Sequence, residues 1–201
     1  MLAPSNEGVN IVGRVRPDAV LPGFCYDVAM SLIYVTGIAS SGKSEVCDEL
    51  LKLGYEAHEG DDNLSYFYNN ESGQVVNRPT SASERTPEWR EQHTWKMSKE
   101  KLLELKNKAK DKPIFVCGVA ANENEYIDIF DKVFALMIDD RTMRHRIETR
   151  TRSDYGKNSH EMADLIEWQK STQEHYQKIG AQVIDATKPI SEVVNEIVTS
   201  I

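Results

Sequence analysis

The sequence predicts an α/β fold of three layers, with helices on both faces of a five-stranded parallel sheet. Two observations lead to this prediction. Between residues 31 and 201, short apolar runs rich in β-branched residues alternate with segments of helical periodicity. A glycine-rich segment also separates the first apolar run from the first helical segment, which is where a parallel strand passes into its crossover helix.

The first predicted element is a buried strand at residues 31–36, an apolar run that ends at a glycine. A helix follows at residues 43–53, because apolar residues recur at helical spacing and Gly54 supplies the left-handed residue that ends a helix. The remaining strands are predicted at residues 55–58, 113–117, 132–138 and 181–185. The remaining helices are predicted at residues 86–110, 122–130, 141–150, 159–180 and 190–198.

Two segments fall outside this alternation. Residues 1–30 contain prolines and scattered glycines and fit no regular pattern, so we predict a loosely ordered N-terminal extension before one domain of residues 31–201. Residues 63–85 are polar and aperiodic, which predicts a loop or a mobile substrate flap. Thr86 and Ser159 are predicted to cap the helices that begin beside them.

Composition limits the possible functions. A chain of 201 residues that is 40% hydrophobic can bury one substantial core. The net charge of -8 provides no overall basic field, so nucleic acid is not an expected partner. No apolar run is long enough to span a membrane, and the three cysteines form no C-x-x-C pair, which together favour a cytoplasmic protein. The oligomeric state is left open.

The clearest motif is a phosphate-binding loop. Its sequence is Gly37-Ile38-Ala39-Ser40-Ser41-Gly42-Lys43-Ser44, which fits the pattern Gly-x-x-x-x-Gly-Lys-Ser at each specified position. Glycines let such a loop wrap around phosphate oxygens, so that backbone N–H groups and the positive end of the next helix face the anion. In this pattern the lysine reaches the β and γ phosphates, and the serine hydroxyl ligates Mg²⁺. The motif therefore predicts ATP or a related nucleoside triphosphate as ligand, with Mg²⁺.

With this loop, residues 31–201 resemble the small P-loop kinases of the nucleoside-monophosphate kinase and shikimate kinase type. More narrowly, they resemble an ATP-binding subgroup of bacterial proteins within that superfamily. The resemblance implies the P-loop NTPase fold with a short lid. It also implies transfer of the terminal phosphate of ATP to a small-molecule acceptor.

A pair of arginines supports the resemblance. Arg146 and Arg150 lie four residues apart, hence on one helix face, just before the polar segment of residues 151–158. They resemble the arginines that precede the lid of nucleotide kinases. The resemblance implies that both contact ATP and shield the phosphoryl group, and that Arg152 adds positive charge to the lid. The alternative is that these arginines are solvated on an exposed helix.

The resemblance also assigns residues near the adenine and the acceptor. Residues 184–190 resemble the loop that borders the adenine ring, which assigns Thr187 and Pro189 to ATP binding. Gly118 and Asn122 follow the third strand, where the loop faces the acceptor in the narrower subgroup. Asn122 is equally well interpreted as a helix cap.

Acidic and basic residues complete the expected acceptor side. Asp61 and Asp62 follow the second strand, as aspartates do in shikimate and related kinases. A carboxylate there would accept the proton of the acceptor hydroxyl or hold Mg²⁺ through water, and we assign Asp61 first and Asp62 as its alternative. A solvated acidic turn is the other interpretation. Arg90 lies in the region that covers the acceptor in this superfamily, although Trp89 and His93 beside it are also explained by ordinary packing.

Two departures from the pattern leave the acceptor open. The chain lacks an aspartate at the end of its third strand, and it lacks the triple glycine of shikimate kinases. The leading prediction is a kinase for a nucleoside, a nucleotide or another hydroxylated metabolite. One alternative is a nucleotide-binding regulator or slow NTPase, and another is an antibiotic-modifying phosphotransferase.

Overall fold

A computed structural model describes residues 31–110 and 112–201, so the extension predicted for residues 1–30 lies outside the described residues. In chain order the strands of the described part are β1 (Leu32–Thr36), β2 (Glu56–Glu59), β3 (Ser65–Asn69), β4 (Val75–Val76), β5 (His93–Met97), β6 (Ile114–Cys117), β7 (Lys132–Met137) and β8 (Gln182–Asp185). Its helices are α1 (Lys43–Lys52), α2 (Gly60–Asn63), α3 (Pro87–Gln92), α4 (Lys99–Lys108), α5 (Asp140–Thr149), α6 (Ser159–Lys178) and α7 (Ile190–Val198).

The main sheet confirms the predicted fold class. Five parallel strands of the described chain lie in the order β2-β6-β1-β7-β8, with β1 at the centre. The side chains from Leu32 to Val35 are fully buried, because one core cluster covers each face of the sheet. Residues of α1, α5 and α7 fill one cluster, and residues of α4 fill the other. This arrangement places the turn after β1 at the carboxyl edge of the sheet.

A second sheet lies where the sequence predicted a loop and one long helix. Strands β4, β3 and β5 form an antiparallel sheet, in which Phe67 pairs with Trp95. The helix predicted at residues 86–110 is therefore wrong in its middle: α3 ends at Gln92, β5 follows, and α4 begins at Lys99. The physical reason is tertiary pairing, since β3 holds the residues of β5 in an extended conformation against their local helical pattern. We call residues 65–97 the flap.

The flap is attached to the main sheet by hydrogen bonds at its carboxyl end. Asn122 makes two of them, since its Oδ1 accepts from the Met97 amide at 2.9 Å and its Nδ2 donates to the Met97 carbonyl at 3.0 Å. The helix predicted at residues 122–130 is wrong, because this segment forms 3₁₀ turns at Glu123–Glu125 and Ile127–Ile129. The Asn122 side chain makes no cap bond, because its amide is used by the flap.

Smaller corrections concern helix ends. Helix α6 begins with Asn158 as its cap, whose Oδ1 accepts from the Glu161 amide at 2.8 Å, so Ser159 is the first helical residue and not the cap. Thr86 caps α3 as predicted. None of the helices in the described part of the chain is both long and apolar enough to cross a membrane.

Candidate nucleotide and acceptor site

The glycine-rich loop of residues 37–44 joins β1 to α1, as the motif requires. Gly37 has a positive φ of 152°, and a Cβ at this position would lie 2.5 Å from the Ser41 hydroxyl and 2.7 Å from the Leu136 carbonyl. A side chain there would therefore displace the loop. Gly42 is the N-terminal cap of α1 and supplies no side-chain hydrogen bond, so the first-turn N–H groups of α1 are available to an anion.

Lys43 closes this loop. Its ammonium group donates to the carbonyl of Gly37 at 2.7 Å and to that of Ile38 at 2.8 Å. Burial lowers the pKa of Lys43 to about 8, while the nearby Asp61 carboxylate raises this pKa and the Arg150 guanidinium lowers it. Strands β1 and β2 both run parallel to β6, so the loop that contains Lys43 and the turn that contains Asp61 leave the same edge of the sheet. Arg150 lines a cleft beside residues 40–42 of the loop.

The loop fits a polyphosphate by its polar groups. The hydroxyls of Ser40 and Ser41 are buried, and neither has a hydrogen-bond partner among the described residues. Such groups are costly to bury unless a polar ligand completes their hydrogen bonds. Within the described residues, no group of three His, Cys, Asp or Glu side chains is placed to hold a metal ion. Mg²⁺ bound with a nucleotide takes most of its ligands from phosphates and water, so the Ser44 hydroxyl and a nearby carboxylate fit its needs.

Arg146 links the loop to the segment after β8. Its Nη1 donates to the carbonyls of Ser40 and Ser41 at 3.3 and 3.4 Å, and its Nη2 donates to the Ala186 carbonyl at 2.8 Å. A cleft of about 310 Å³ opens beside these contacts. Its lining includes Glu45, Arg146, Arg150, Ala186, Lys188 and Ile190.

The segment of residues 184–190, predicted to border adenine, lies at this cleft. Ala186 and Lys188 line it. The Thr187 hydroxyl and amide instead bond to the Asp185 carboxylate at 2.6 and 3.0 Å, and Pro189 is the cap of α7. Thr187 and Pro189 therefore shape the turn that carries the lining residues.

The segment predicted as a lid, residues 151–158, connects α5 to α6. Arg150 at its start donates to the Tyr155 carbonyl, and burial lowers the pKa of Arg150. Arg152 bonds to the carboxylates of Asp48 at 3.1 Å and Glu59 at 2.9 Å. These exposed ion pairs connect residues 151–158 to α1 and to the end of β2.

The residues predicted to face the acceptor fall into two groups. One group lies at the end of β2, and the other makes contacts that hold the flap in place. Asp61 and Asp62 are exposed in the first turn after β2, and Gly118 packs against the start of the same turn, since a Cβ on Gly118 would lie 3.1 Å from the Gly60 Cα. Arg90 belongs to the second group: it forms an ion pair with Asp164 of α6. Asn122 belongs there too, because its amide bonds to the flap backbone.

Sequence reasoning missed a buried ion pair between the flap and α6. The Arg85 Nε donates to the Glu161 carboxylate at 2.8 Å, and these residues are 3% and 0% exposed. The spacing of Asn158 and Glu161 matches a capping box, so the sequence signals a helix start at that point. It contains no signal for a partner 76 residues away.

A second missed group supports β1 beneath the loop. The carboxylate of Glu123, which is 5% exposed, accepts hydrogen bonds of 2.9 Å from the hydroxyls of Tyr34 and Thr36. His175 bonds to its other oxygen at 2.7 Å. Burial raises the pKa of Tyr34 well above its usual range. Because Thr36 precedes Gly37, this network fixes the point from which the loop departs.

Comparisons with known proteins agree with this geometry. Residues 33–167 match the model of the AAA domain family. A shikimate kinase from Acinetobacter baumannii in complex with shikimate aligns with a TM-score of 0.57 and 16% identity, over 86% of this chain and 93% of that chain. The shikimate kinase from Aquifex aeolicus vf5 aligns with a TM-score of 0.50 and 19% identity, over 84% and 94%. No curated protein matches the sequence.

The two solved structures confirm the fold that the sequence predicted, a parallel sheet with flanking helices. The family model covers more than half of the chain and includes the whole phosphate-binding loop, α5 and the lid segment. The chain therefore belongs to the AAA domain family and has the fold of the P-loop small-molecule kinases.

Proposed function

We propose that this protein is an ATP-dependent phosphotransferase that acts on a small molecule such as a nucleoside, a nucleotide or another hydroxylated metabolite. One observation carries the proposal. The Lys43 ammonium closes the glycine-rich loop, Arg150 lines the cleft beside that loop, and the parallel strands β1 and β2 place the loop and Asp61 at the same edge of the sheet. A phosphate-binding lysine, a carboxylate and a lid arginine at one place are the groups that in-line phosphoryl transfer needs. The kinase-like fold and the family match support the same function.

The nucleotide side follows from the loop and the cleft. ATP would supply the phosphoryl group, and Mg²⁺ bound with it would neutralise part of its charge. The main chain of residues 37–44 and the Lys43 ammonium bind the phosphates, and the Ser44 hydroxyl would hold the metal. Arg146 braces the cleft for the base through its bonds to the two loops that border it. Arg150 provides positive charge near Lys43, where negative charge develops during transfer.

The acceptor side follows from the end of β2. The Asp61 carboxylate accepts the proton of the acceptor hydroxyl, and its place after β2, at the sheet edge from which the phosphate-binding loop leaves, would also suit it to hold Mg²⁺ through water. Asp62, Gly118 and Arg152 border the same edge of the sheet and would contact the acceptor. In this proposal Arg90 and Asn122 act indirectly, because their polar groups hold the flap in place.

ATP consumption in the presence of acceptors tests the proposal. The purified protein with Mg²⁺ and ATP is offered a panel of nucleosides, nucleotides and sugar-like acids, and product is identified by mass spectrometry. We expect at least one acceptor to raise turnover. The Lys43→Ala variant should lose this activity, whereas Lys52→Ala, a change at an exposed lysine of the same helix, should keep it. Turnover that no acceptor raises, but that a protein partner does, would favour a nucleotide-dependent regulator instead.

A further inference from the structure

The flap and the lid meet at one buried carboxylate. The Glu161 side chain of α6 is 0% exposed, and each of its two oxygens holds a different segment. Oε1 accepts from the Arg85 Nε of the flap at 2.8 Å. Oε2 accepts from the Gly156 amide of the lid, also at 2.8 Å. One side chain therefore fixes the flap and the lid at the same time.

Arg85 also reaches the lid directly. Its Nη2 lies 2.9 Å from the carboxylate of Asp154, which is a lid residue. Asp154 is partly exposed and also lies 3.4 Å from Arg78 of the flap. The exposed contact of Arg78 stabilises little, because water screens it. The buried pair of Arg85 and Glu161 is the contact that matters, since separating these charges leaves each one buried without a partner.

This arrangement makes independent motion of the two segments unfavourable. If the lid moved away with α6 fixed, the Glu161 Oε2 would lose the Gly156 amide. If the flap moved away, Arg85 would lose Glu161 and Asp154 together. Movement of both segments away from α6 would break both bonds to Glu161, so this carboxylate holds each segment more firmly while the other is in place.

We infer that Arg85 and Glu161 are positioning residues that couple the flap to the lid. The inference rests on the proposed function, in which the lid covers the nucleotide and the flap covers the acceptor. Closure of the lid on nucleotide then stabilises the closed position of the flap, because Glu161 bonds to both segments. By thermodynamic reciprocity, nucleotide and acceptor each raise the affinity of the protein for the other, with a coupling factor of about tenfold expected.

Tryptophan fluorescence provides a test that needs no known acceptor. Trp89 and Trp95 lie in the flap, where both rings pack against Phe67 at centroid distances of 4.9 and 4.7 Å. The third tryptophan of the chain, Trp168, is exposed on α6 and is removed by the change Trp168→Phe. The emission of this variant then reports the flap. We expect a non-hydrolysable ATP analogue with Mg²⁺ to change it.

The decisive variant in that background is Glu161→Gln, which keeps the shape of the side chain and removes its charge. We expect the flap emission to stop responding to the analogue, while calorimetry still shows that the analogue binds. Glu167→Gln is the matched control, because Glu167 is exposed on the same helix, and it should keep the response. A full flap response in Glu161→Gln would overturn the coupling.

Hydrogen exchange of the protein without nucleotide separates this inference from the proposed function. We expect Glu161→Gln to accelerate amide exchange in both the flap and residues 151–158, and Arg85→Lys, a milder change, to do the same to a smaller extent. Faster exchange confined to the lid would show that the two segments are independent. If calorimetry detects no binding of the analogue to the unsubstituted protein, the proposed function fails, and the exchange result still decides the coupling.

Discussion

The ammonium nitrogen of Lys43 lies 2.7 Å from the carbonyl oxygen of Gly37, inside the loop that the lysine closes. Burial lowers the pKa of this lysine to about 8, so its charge changes within the range in which enzymes are assayed. A polyphosphate in the loop would stabilise the charged form. Nucleotide binding and the protonation of Lys43 are therefore linked.

The first prediction is that nucleotide affinity falls as the pH rises above about 8. The lysine is charged below its pKa and neutral above it, so binding at higher pH requires uptake of a proton, and affinity should fall by up to about tenfold per pH unit. Calorimetry in two buffers of different ionisation enthalpy measures that uptake directly. Lys43→Arg is the control, since an arginine stays charged throughout and should remove the dependence. An affinity for the unsubstituted protein that is flat between about pH 7 and about pH 10 would contradict the prediction.

The second prediction distinguishes Asp61 from Asp62. Asp61→Asn should lower kcat by roughly a hundredfold, because it removes the group that accepts the acceptor proton, and should leave nucleotide binding near neutral pH largely intact. It should also move the pH dependence of nucleotide binding to lower pH, because Asp61 raises the pKa of Lys43. Steady-state kinetics and calorimetry measure the two effects. Asp62→Asn is the neighbouring comparison: because Asp62 contacts the acceptor without accepting its proton, this change should raise the acceptor KM but leave kcat and nucleotide binding unchanged. Equal losses of kcat in both variants would remove the assignment.

The third prediction concerns Arg146. The change Arg146→Ala removes the hydrogen bonds of this arginine to the phosphate-binding loop and to the Ala186 carbonyl. The affinity for nucleotide should therefore fall by about 2 kcal/mol, or roughly thirtyfold. Arg144→Ala removes an exposed arginine from the same helix and should have little effect. Dissociation constants of an ATP analogue measure both. Similar affinities for the two variants would show that Arg146 does not support the cleft.

The fourth prediction concerns the attachment of the flap. Asn122→Ala leaves the Met97 amide and carbonyl without their side-chain partner, which should lower the free energy of unfolding by about 2 kcal/mol. Urea denaturation measures the change. The exposed Asn124 is two residues away, and Asn124→Ala should alter stability by less than about 0.5 kcal/mol. If both variants unfold at the same urea concentration, Asn122 does not anchor the flap.

The main sheet was predictable because its strands and helices have strong local patterns. All residues of β1 are buried, and its sequence is a continuous apolar run. The buried residues of α1 recur at helical spacing, so the sequence alone indicates which face of the helix is covered. Strand β5 was not predictable in this way. Thr86 and Pro87 correctly marked the start of α3, but the change from helix to strand after Gln92 depends on pairing with β3, which lies about 25 residues earlier in the chain.

The candidate site shows the same division. The phosphate loop was predictable because its residues are contiguous and each has a fixed part in binding phosphate. Arg146 and Arg150 were assigned to ATP binding through the family resemblance, and that role stays a prediction. The pairing of Arg85 with Glu161 was not predictable, because it joins positions 76 residues apart and neither residue stands out in its local sequence. Long-range ion pairs are set by the folded topology and leave no local pattern.

The second sheet is formed by one uninterrupted stretch of chain, which leaves the main sheet after α2 and returns to it at Ser98, whose amide bonds to the Leu64 carbonyl at 2.8 Å. The flap is therefore a continuous insertion whose two ends lie next to each other, at Leu64 and Ser98. If the flap covers the acceptor, as proposed, mutations within residues 65–97 can change the preferred acceptor without altering the phosphate-binding loop of residues 37–44. On that proposal, a change of acceptor would require substitutions in only one short interval of the sequence, while the residues that bind nucleotide stay the same.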